Sequence, residues 1–273
     1  MSKELKIKEK IKFPKEISNK KIENFFIDKG LKEMVFLGKN QRDKKVNEKI
    51  LVPYKPELDC LYRLWQFIVL NKRTTILEFG SGWSSLIFSL ALSELKLKYK
   101  NQIKKLRRNN PFELFILEDQ KKYLNITKKR ILKNKNKITI RNHYFHSNVY
   151  MTTFNDRIST SYEKLPLCSP DFIYLDGPDT NKVKGSVDGF STKHKDLMPM
   201  VNDILKIEYF LTPGTIIIVD GRASNTKFML DNFKRKSLYK KISSLYDQHV
   251  LYLDDPSLRK YNDLQLKFYK KNI

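Results

Sequence analysis

Between residues 76 and 85 the chain reads ILEFGSGWSS: the carboxylate Glu78, then Gly80, Ser81 and Gly82, then the hydroxyls of Ser84 and Ser85. Two glycines this close behind an apolar run let the backbone turn tightly and approach a ligand, and a helix starting there presents free N–H groups. A dinucleotide is the first ligand to test. Its fingerprint needs glycine where Ser85 stands and an acidic residue about 20 positions later. Neither condition is met, because the next carboxylate that closes an apolar run is Glu118. Two more apolar runs end in carboxylates: DFIYLDGPD contains Asp176 and then Asp179, and GTIIIVDGR contains Asp220.

These residues need elements that bring them together. Short, almost wholly apolar runs at 74–80, 112–118, 170–177 and 215–221, with KITIRN at 137–142, read as strands. Helical patterns separate them: a long one from Ser84 to about Arg107, another around KKYLNITKKRIL, and a third over KHKDLMPMVNDILKIEYFL (193–211). That alternation predicts a doubly wound, Rossmann-like α/β sheet of about seven strands, covered on both faces. In such a sheet ligands bind at the carboxyl ends of the strands, where the carboxylates above fall. YKKISSLYD and HVLYLDD have too little between them for a helical crossover and predict an antiparallel hairpin. A helix led by Pro56, with Leu61, Leu64, Trp65 and Ile68 on one face, opens a domain spanning 55–273. Residues 1–54 form a basic arm or lid, with IENFF and KEMVFLG as short docking elements.

LEFGSGWSS resembles the first motif of class I S-adenosylmethionine (SAM)-dependent methyltransferases, in which an acidic residue precedes Gly-x-Gly. The resemblance extends through several ordered motifs over about residues 55–255. It implies SAM as cofactor, with Glu78, Gly80, Ser81, Gly82 and Ser84 around its methionine part. It places Glu118 on the ribose hydroxyls, a pairing that two carboxylate oxygens suit. Ser147 and Asn148, in HSNV, lie where the family contacts adenine. The final hairpin agrees with the family's antiparallel seventh strand.

The implied reaction is methylation of a hydroxyl on a small molecule or glycan, a sugar among them. A hydroxyl acceptor must be held in line and must lose its proton. Asp176, beside the transferring methyl group, is the first candidate for that work, with Asp179, His194 and Asp220 behind it. Asp176 and Asp220 match two of the three ligands of a divalent cation such as Mg in catechol-type O-methyltransferases, but Gly221 replaces the third. Arg222 pairs with Asp220 or holds an anionic acceptor. Trp83 packs over the cofactor or into the core. His143, His146 and His249 lack metal-ligand spacing and read as structural.

A formal net charge of +24 keeps an RNA or nucleotide methyltransferase open as an alternative, through the basic stretches 95–109 and 121–136. Lysine accompanied by asparagine and isoleucine throughout favours compositional bias instead, and DGPD is not the motif common in enzymes that methylate nucleic-acid amino groups. A non-catalytic binding module on the same fold is the third reading. Cys60 and Cys168 form no framework, and no apolar segment reaches membrane-spanning length, so a cytoplasmic protein is expected. The sequence leaves the oligomeric state open.

Overall fold

Five strands rich in Ile, Leu, Val and Phe tolerate so little polarity because both of their faces are covered. They are β1 (Thr75–Phe79), β2 (Glu113–Glu118), β6 (Phe172–Leu175), β7 (Ile216–Asp220) and β9 (Gln248–Leu253). The computed structural model describes residues 3–39, 55–194, 196–242 and 247–270. The remaining strands are β3 (Arg141–His146), β4 (Val149–Phe154), β5 (Arg157–Tyr162) and β8 (Ser237–Ile242). The helices are α1 (Lys3–Lys10), α2 (Asn19–Asp28), α3 (Lys32–Lys39), α4 (Leu58–Leu70), α5 (Trp83–Ile103), α6 (Lys121–Lys133), α7 (Asp203–Lys206), α8 (Ala223–Asn232) and α9 (Asp263–Lys270).

Seven strands form one sheet in the order β3-β2-β1-β6-β7-β9-β8. Neighbours from β3 to β7 run parallel, and β9 runs antiparallel to both β7 and β8. This is the doubly wound, Rossmann-like sheet that the sequence implies, with its reversed C-terminal strand. Alternation along each strand divides the interior in two. Ile76, Ile116, Tyr174 and Ile218 face a cluster built with α4, α5 and the arm, while Leu77, Phe79, Leu117, Leu175 and Val219 face the opposite cluster.

The arm docks through buried side chains: Ile7 of α1, Phe26 of α2 and Met34 of α3 all join the first cluster. Phe25 meets Tyr62 and Trp65 of α4 edge-on. The division at residues 54 and 55 falls at the margin of segment 40–54, which lies outside the described residues.

Three expectations need correction. The third strand is Arg141–His146 rather than 137–142, because Lys135–Lys137 make a 3₁₀ turn, and Ile138 and Ile140 pack against the core before pairing begins. The long helix across 193–211 is absent. Pro199 supplies no N–H and biases Met198 toward extended backbone. The segment is instead tied to β5 by hydrogen bonds from Thr160 N–H to Met200 O and from Asn202 N–H to Thr160 O, with only Asp203–Lys206 α-helical. Finally, β4 and β5 form a separate antiparallel sheet that the sequence reading missed. Their turn residues Asn155 and Asp156 both have positive φ, 48° and 59°, as a two-residue hairpin requires.

Candidate active site

The strand order reverses at β1 and β6, and the crevice beyond their carboxyl ends is where such a sheet binds ligands. Two glycines meet there. Gly80 has φ +100°, and a Cβ on it would lie 2.9 Å from Gly177 N; one on Gly177 would lie 2.7 Å from Gly80 N. Both Asp176 N–H and Gly177 N–H donate to Phe79 O, at 3.0 and 2.7 Å. Gly80 is therefore demanded by the contact between two strand-end turns, not by a ligand. Gly82 differs: a Cβ there would meet only Ser84 Oγ, at 3.8 Å, so the space above the first turn of α5 is open.

Four carboxylates cross this edge in file. Glu78, Glu118, Asp176 and Asp220 continue the alternation of Ile76, Ile116, Tyr174 and Ile218, so they share one face at the ends of β1, β2, β6 and β7. Adjacent strands stand about 4.8 Å apart, which gathers the four carboxyl groups into one row.

Each member is held differently. Glu78, 1% exposed, accepts hydrogen bonds from Ser84 Oγ (2.5 Å) and Ser85 Oγ (2.6 Å). Burial pushes its carboxyl up to about 8 against the opposing pull of those hydroxyls. Ser84 is thus turned toward Glu78. Glu118 accepts from Ser81 Oγ (2.6 Å) and Gln120 N–H (2.8 Å), which ties the glycine turn to the end of β2. Burial, with Asp119 adding and Ser81 opposing, raises Glu118 to about 8 as well.

Asp176 opens onto solvent at the crevice mouth. Loss of solvation on the side facing the strand ends and then the Asp220 carboxylate push it up to about 6, while Arg222 pulls the other way. Asp220 turns inward, accepting from Tyr174 Oη (2.5 Å) and Cys60 Sγ (3.4 Å) through Oδ2. Its Oδ1 is buried without a hydrogen-bond partner. Gln248 completes that network, donating to Cys60 Sγ and accepting from Arg63 Nε.

The other sequence candidates lie apart from the file. Asp179 caps the short turn Thr180–Lys182 by accepting Asn181 N–H, and its own N–H donates to Asp119. Ser147 Oγ accepts Lys164 N–H, and Asn148 bonds Glu163 and Lys184. His194 is an exposed loop residue whose ring faces Asp196 at 3.8 Å. Arg222 makes no ion pair with Asp220; its guanidinium donates to the Asp176 and Pro178 carbonyls at 2.6 and 2.9 Å. Trp83 carries the Arg130 guanidinium 3.9 Å above its ring. His143 stacks on Phe115, and His249 bonds Tyr239.

Sequence reasoning missed two residues here. Asp119 follows Glu118 directly, and that doubled acid at a strand end was the available signal. Tyr162 was hidden because its strand went unrecognised: its ring packs on Phe79, and its buried hydroxyl, without a hydrogen-bond partner, stands 2.9 Å from where a Gly177 Cβ would be.

Among the described residues no three His, Cys, Asp or Glu side chains gather closely enough to hold a metal ion, and no helix is long and apolar enough to cross a membrane. Asp176 and Asp220 fit a cation poorly, since Gly221 brings no side chain and one Asp220 oxygen already serves Tyr174 and Cys60.

No family model matches the chain, and no curated protein matches its sequence. Solved structures similar to it include an O-methyltransferase from Bacillus cereus in complex with SAH, 12% identical over 86% of this chain and 97% of that one, with TM-score 0.43. An O-methyltransferase from Streptomyces achromogenes involved in tomaymycin synthesis, in complex with SAM, is 10% identical over 94% of this chain and all of that one, with TM-score 0.41. A T. thermophilus 16S rRNA N2 G1207 methyltransferase, in complex with AdoMet and guanosine, is 10% identical over 75% of this chain but only 44% of its own, with TM-score 0.43. Each is a likeness of chain course at roughly one residue in ten.

Proposed function

We propose that the protein is a SAM-dependent methyltransferase that methylates a hydroxyl of a small molecule or glycan. The observation that carries this reading is the file of carboxylates beside an open glycine turn. A sulfonium with a free ammonium and a ribose diol offers a buried carboxylate band the positive charge and the hydroxyl donors that it lacks. Its chemical contribution is an electrophilic methyl group.

The chain's own residues divide the remaining work. Glu118, preset by Ser81, accepts from a vicinal diol. Glu78, preset by Ser84 and Ser85, faces the ammonium, and a neighbouring cation favours its ionised form. Asp176 takes the proton from the acceptor hydroxyl; with a carboxyl near 6 it is ionised at neutral pH and still basic enough to act. Arg222 fixes the turn that carries Asp176. No step is assigned to a divalent cation. Both cysteines are free thiols, as suits work in the reducing cytoplasm.

Calorimetry with SAM tests the cofactor. Binding in the micromolar range is expected, and Glu118→Ala should weaken it by about a hundredfold, the worth of two charge-assisted hydrogen bonds. No binding at high micromolar concentration would remove the proposal.

A further inference from the structure

The strands β1, β2, β6 and β7 all begin at one edge of the large sheet and end at the crevice, while the antiparallel β9 ends where they begin. Segments 104–112, 163–171, 207–215 and 254–262 therefore meet at the amino edge, away from the crevice. Six of the thirteen exposed large hydrophobic side chains among the described residues belong to these segments or to the first turn of α9, so they are not scattered evenly. They are Leu167, Tyr209, Phe210, Leu258, Tyr261 and Leu264, with Leu167 98% and Phe210 83% exposed.

Hydrogen bonds lace these segments together. Arg108 donates to Ser169 O, Asn262 to Pro213 O (3.1 Å), and Arg235 to Glu208 O and Leu211 O (both 2.6 Å). The Arg107 guanidinium lies 4.2 Å from the centre of the Tyr261 ring. Cations stand among the apolar tips: Lys104, Lys105, Arg107, Lys164, Lys234 and Lys260 are all exposed. Segment 104–112 brings four cations and no acid. Asp254 and Asp255 are paired already, with Lys10, Lys236 and Arg235, and Asp171 and Glu208 are buried.

We propose that this edge docks the protein on an anionic lipid bilayer, leaving the crevice at the opposite edge open to water. The inference does not depend on the methyltransferase reading. Charge complementarity selects the occupant. A protein partner would bury an apolar centre from which lysine is depleted, whereas here lysines stand between the apolar tips. A nucleic acid would use the cations and stack bases on the rings, but Leu167, Leu258 and Leu264 offer a base no such surface. A bilayer engages all three kinds of side chain: leucines reach the acyl chains, aromatic rings sit at headgroup level, and cations meet anionic lipids. Docking of this kind is peripheral and needs no spanning helix.

Sedimentation of the full chain with vesicles tests the inference, using phosphatidylcholine carrying about 30% phosphatidylserine against pure phosphatidylcholine at roughly 0.1 M salt. Anionic vesicles should bind at least about tenfold more tightly than neutral ones. Phe210→Ser should weaken that binding about tenfold, and Lys104→Ser with Lys105→Ser should do the same. The four substituted side chains of a second pair of variants decide whether position matters: Leu167→Ser with Phe210→Ser lies at the amino edge, and Lys121→Ser with Lys182→Ser lies at the crevice edge. The former should abolish binding, and the latter should change it by less than about twofold. All these residues are exposed, so the variants should unfold at the wild-type urea midpoint. The inference is overturned if anionic vesicles do not bind, or if neutral vesicles bind as well. It is equally overturned if the crevice-edge pair weakens binding as much as Lys104→Ser with Lys105→Ser, which would leave net charge alone as the cause. Single-stranded RNA that binds more tightly than the vesicles, and loses affinity with Phe210→Ser, would assign the edge to nucleic acid instead.

Discussion

Raising the pH should destabilise this chain through Glu78, and Glu78→Gln should remove that share of the loss. The carboxyl is 1% exposed, and burial moves it from 4.5 to about 8. Because the folded value lies above the unfolded one, the folded chain keeps a proton that the unfolded chain releases. Glu78 therefore gives its full stability below the unfolded value and loses it as pH rises toward the folded one. Within that window each pH unit costs about 1.4 kcal/mol, so the interval from about pH 5.5 to about pH 7.5 costs roughly 2–3 kcal/mol. Glutamine keeps the shape and a carbonyl acceptor for one hydroxyl, and it never ionises. The stability difference between wild type and variant should consequently move by about 2 kcal/mol across the interval, several degrees in the midpoint of a chain this long. Urea unfolding followed by tryptophan fluorescence at three pH values measures it. Glu118 stays in both proteins, so both keep some slope, and only the difference is diagnostic. Parallel pH profiles for the two proteins would refute the reasoning, because they would mean that Glu78 ionises without cost where it is buried. Saturating SAM should flatten the wild-type slope, since an ammonium beside Glu78 favours the charged form.

Three other outcomes are expected. Asp176→Asn should lower kcat by about 10²–10⁴ while leaving SAM affinity nearly unchanged, and the wild-type rate should fall with acid below about pH 6, the acid limb being absent from the variant. Gly177→Ala should cost roughly 1–3 kcal/mol in chemical denaturation, because its Cβ would stand 2.7 Å from Gly80 N, in backbone that cannot swing aside. Affinity for a single-stranded RNA should be negligible near physiological salt; tight binding that falls steeply as salt rises would instead favour the RNA reading.

Much of this fold is written in local pattern. The strands β1, β2, β6 and β7 are visible because burial on both faces leaves nearly uninterrupted apolar runs, and each run carries a carboxylate at its end or one position from it. The hairpin β8–β9 is visible because the intervening chain is too short for a crossover. The pair β4–β5 is half exposed and carries Thr, Ser and Arg, so its strands lack an apolar signature, and only the Asn155-Asp156 turn announced them. The failed helix at 193–211 shows a periodic pattern overruled by Pro199 and by backbone bonds to Thr160, a partner forty residues earlier in the chain.

Within the site, the type of each residue was readable but its direction was not. Ser84, Ser81 and Gly80 sit in one motif, yet one turns to Glu78, one to Glu118 and one yields space to Gly177. Asp220 and Asp176 occupy equivalent strand ends, but Tyr174 and Cys60 draw only the former inward. Such distinctions depend on neighbours from distant parts of the chain.

The two-stranded sheet of β4 and β5 shares no ladder with the seven-stranded one. The carboxylates and the glycine turn belong to the large sheet, whereas β4 and β5 pair only with each other. Substitutions at Tyr150, exposed on β4, can therefore reshape the small sheet without entering a ladder of the large one. The outer face of the small sheet can thus change shape while the strand order of the large one stands still.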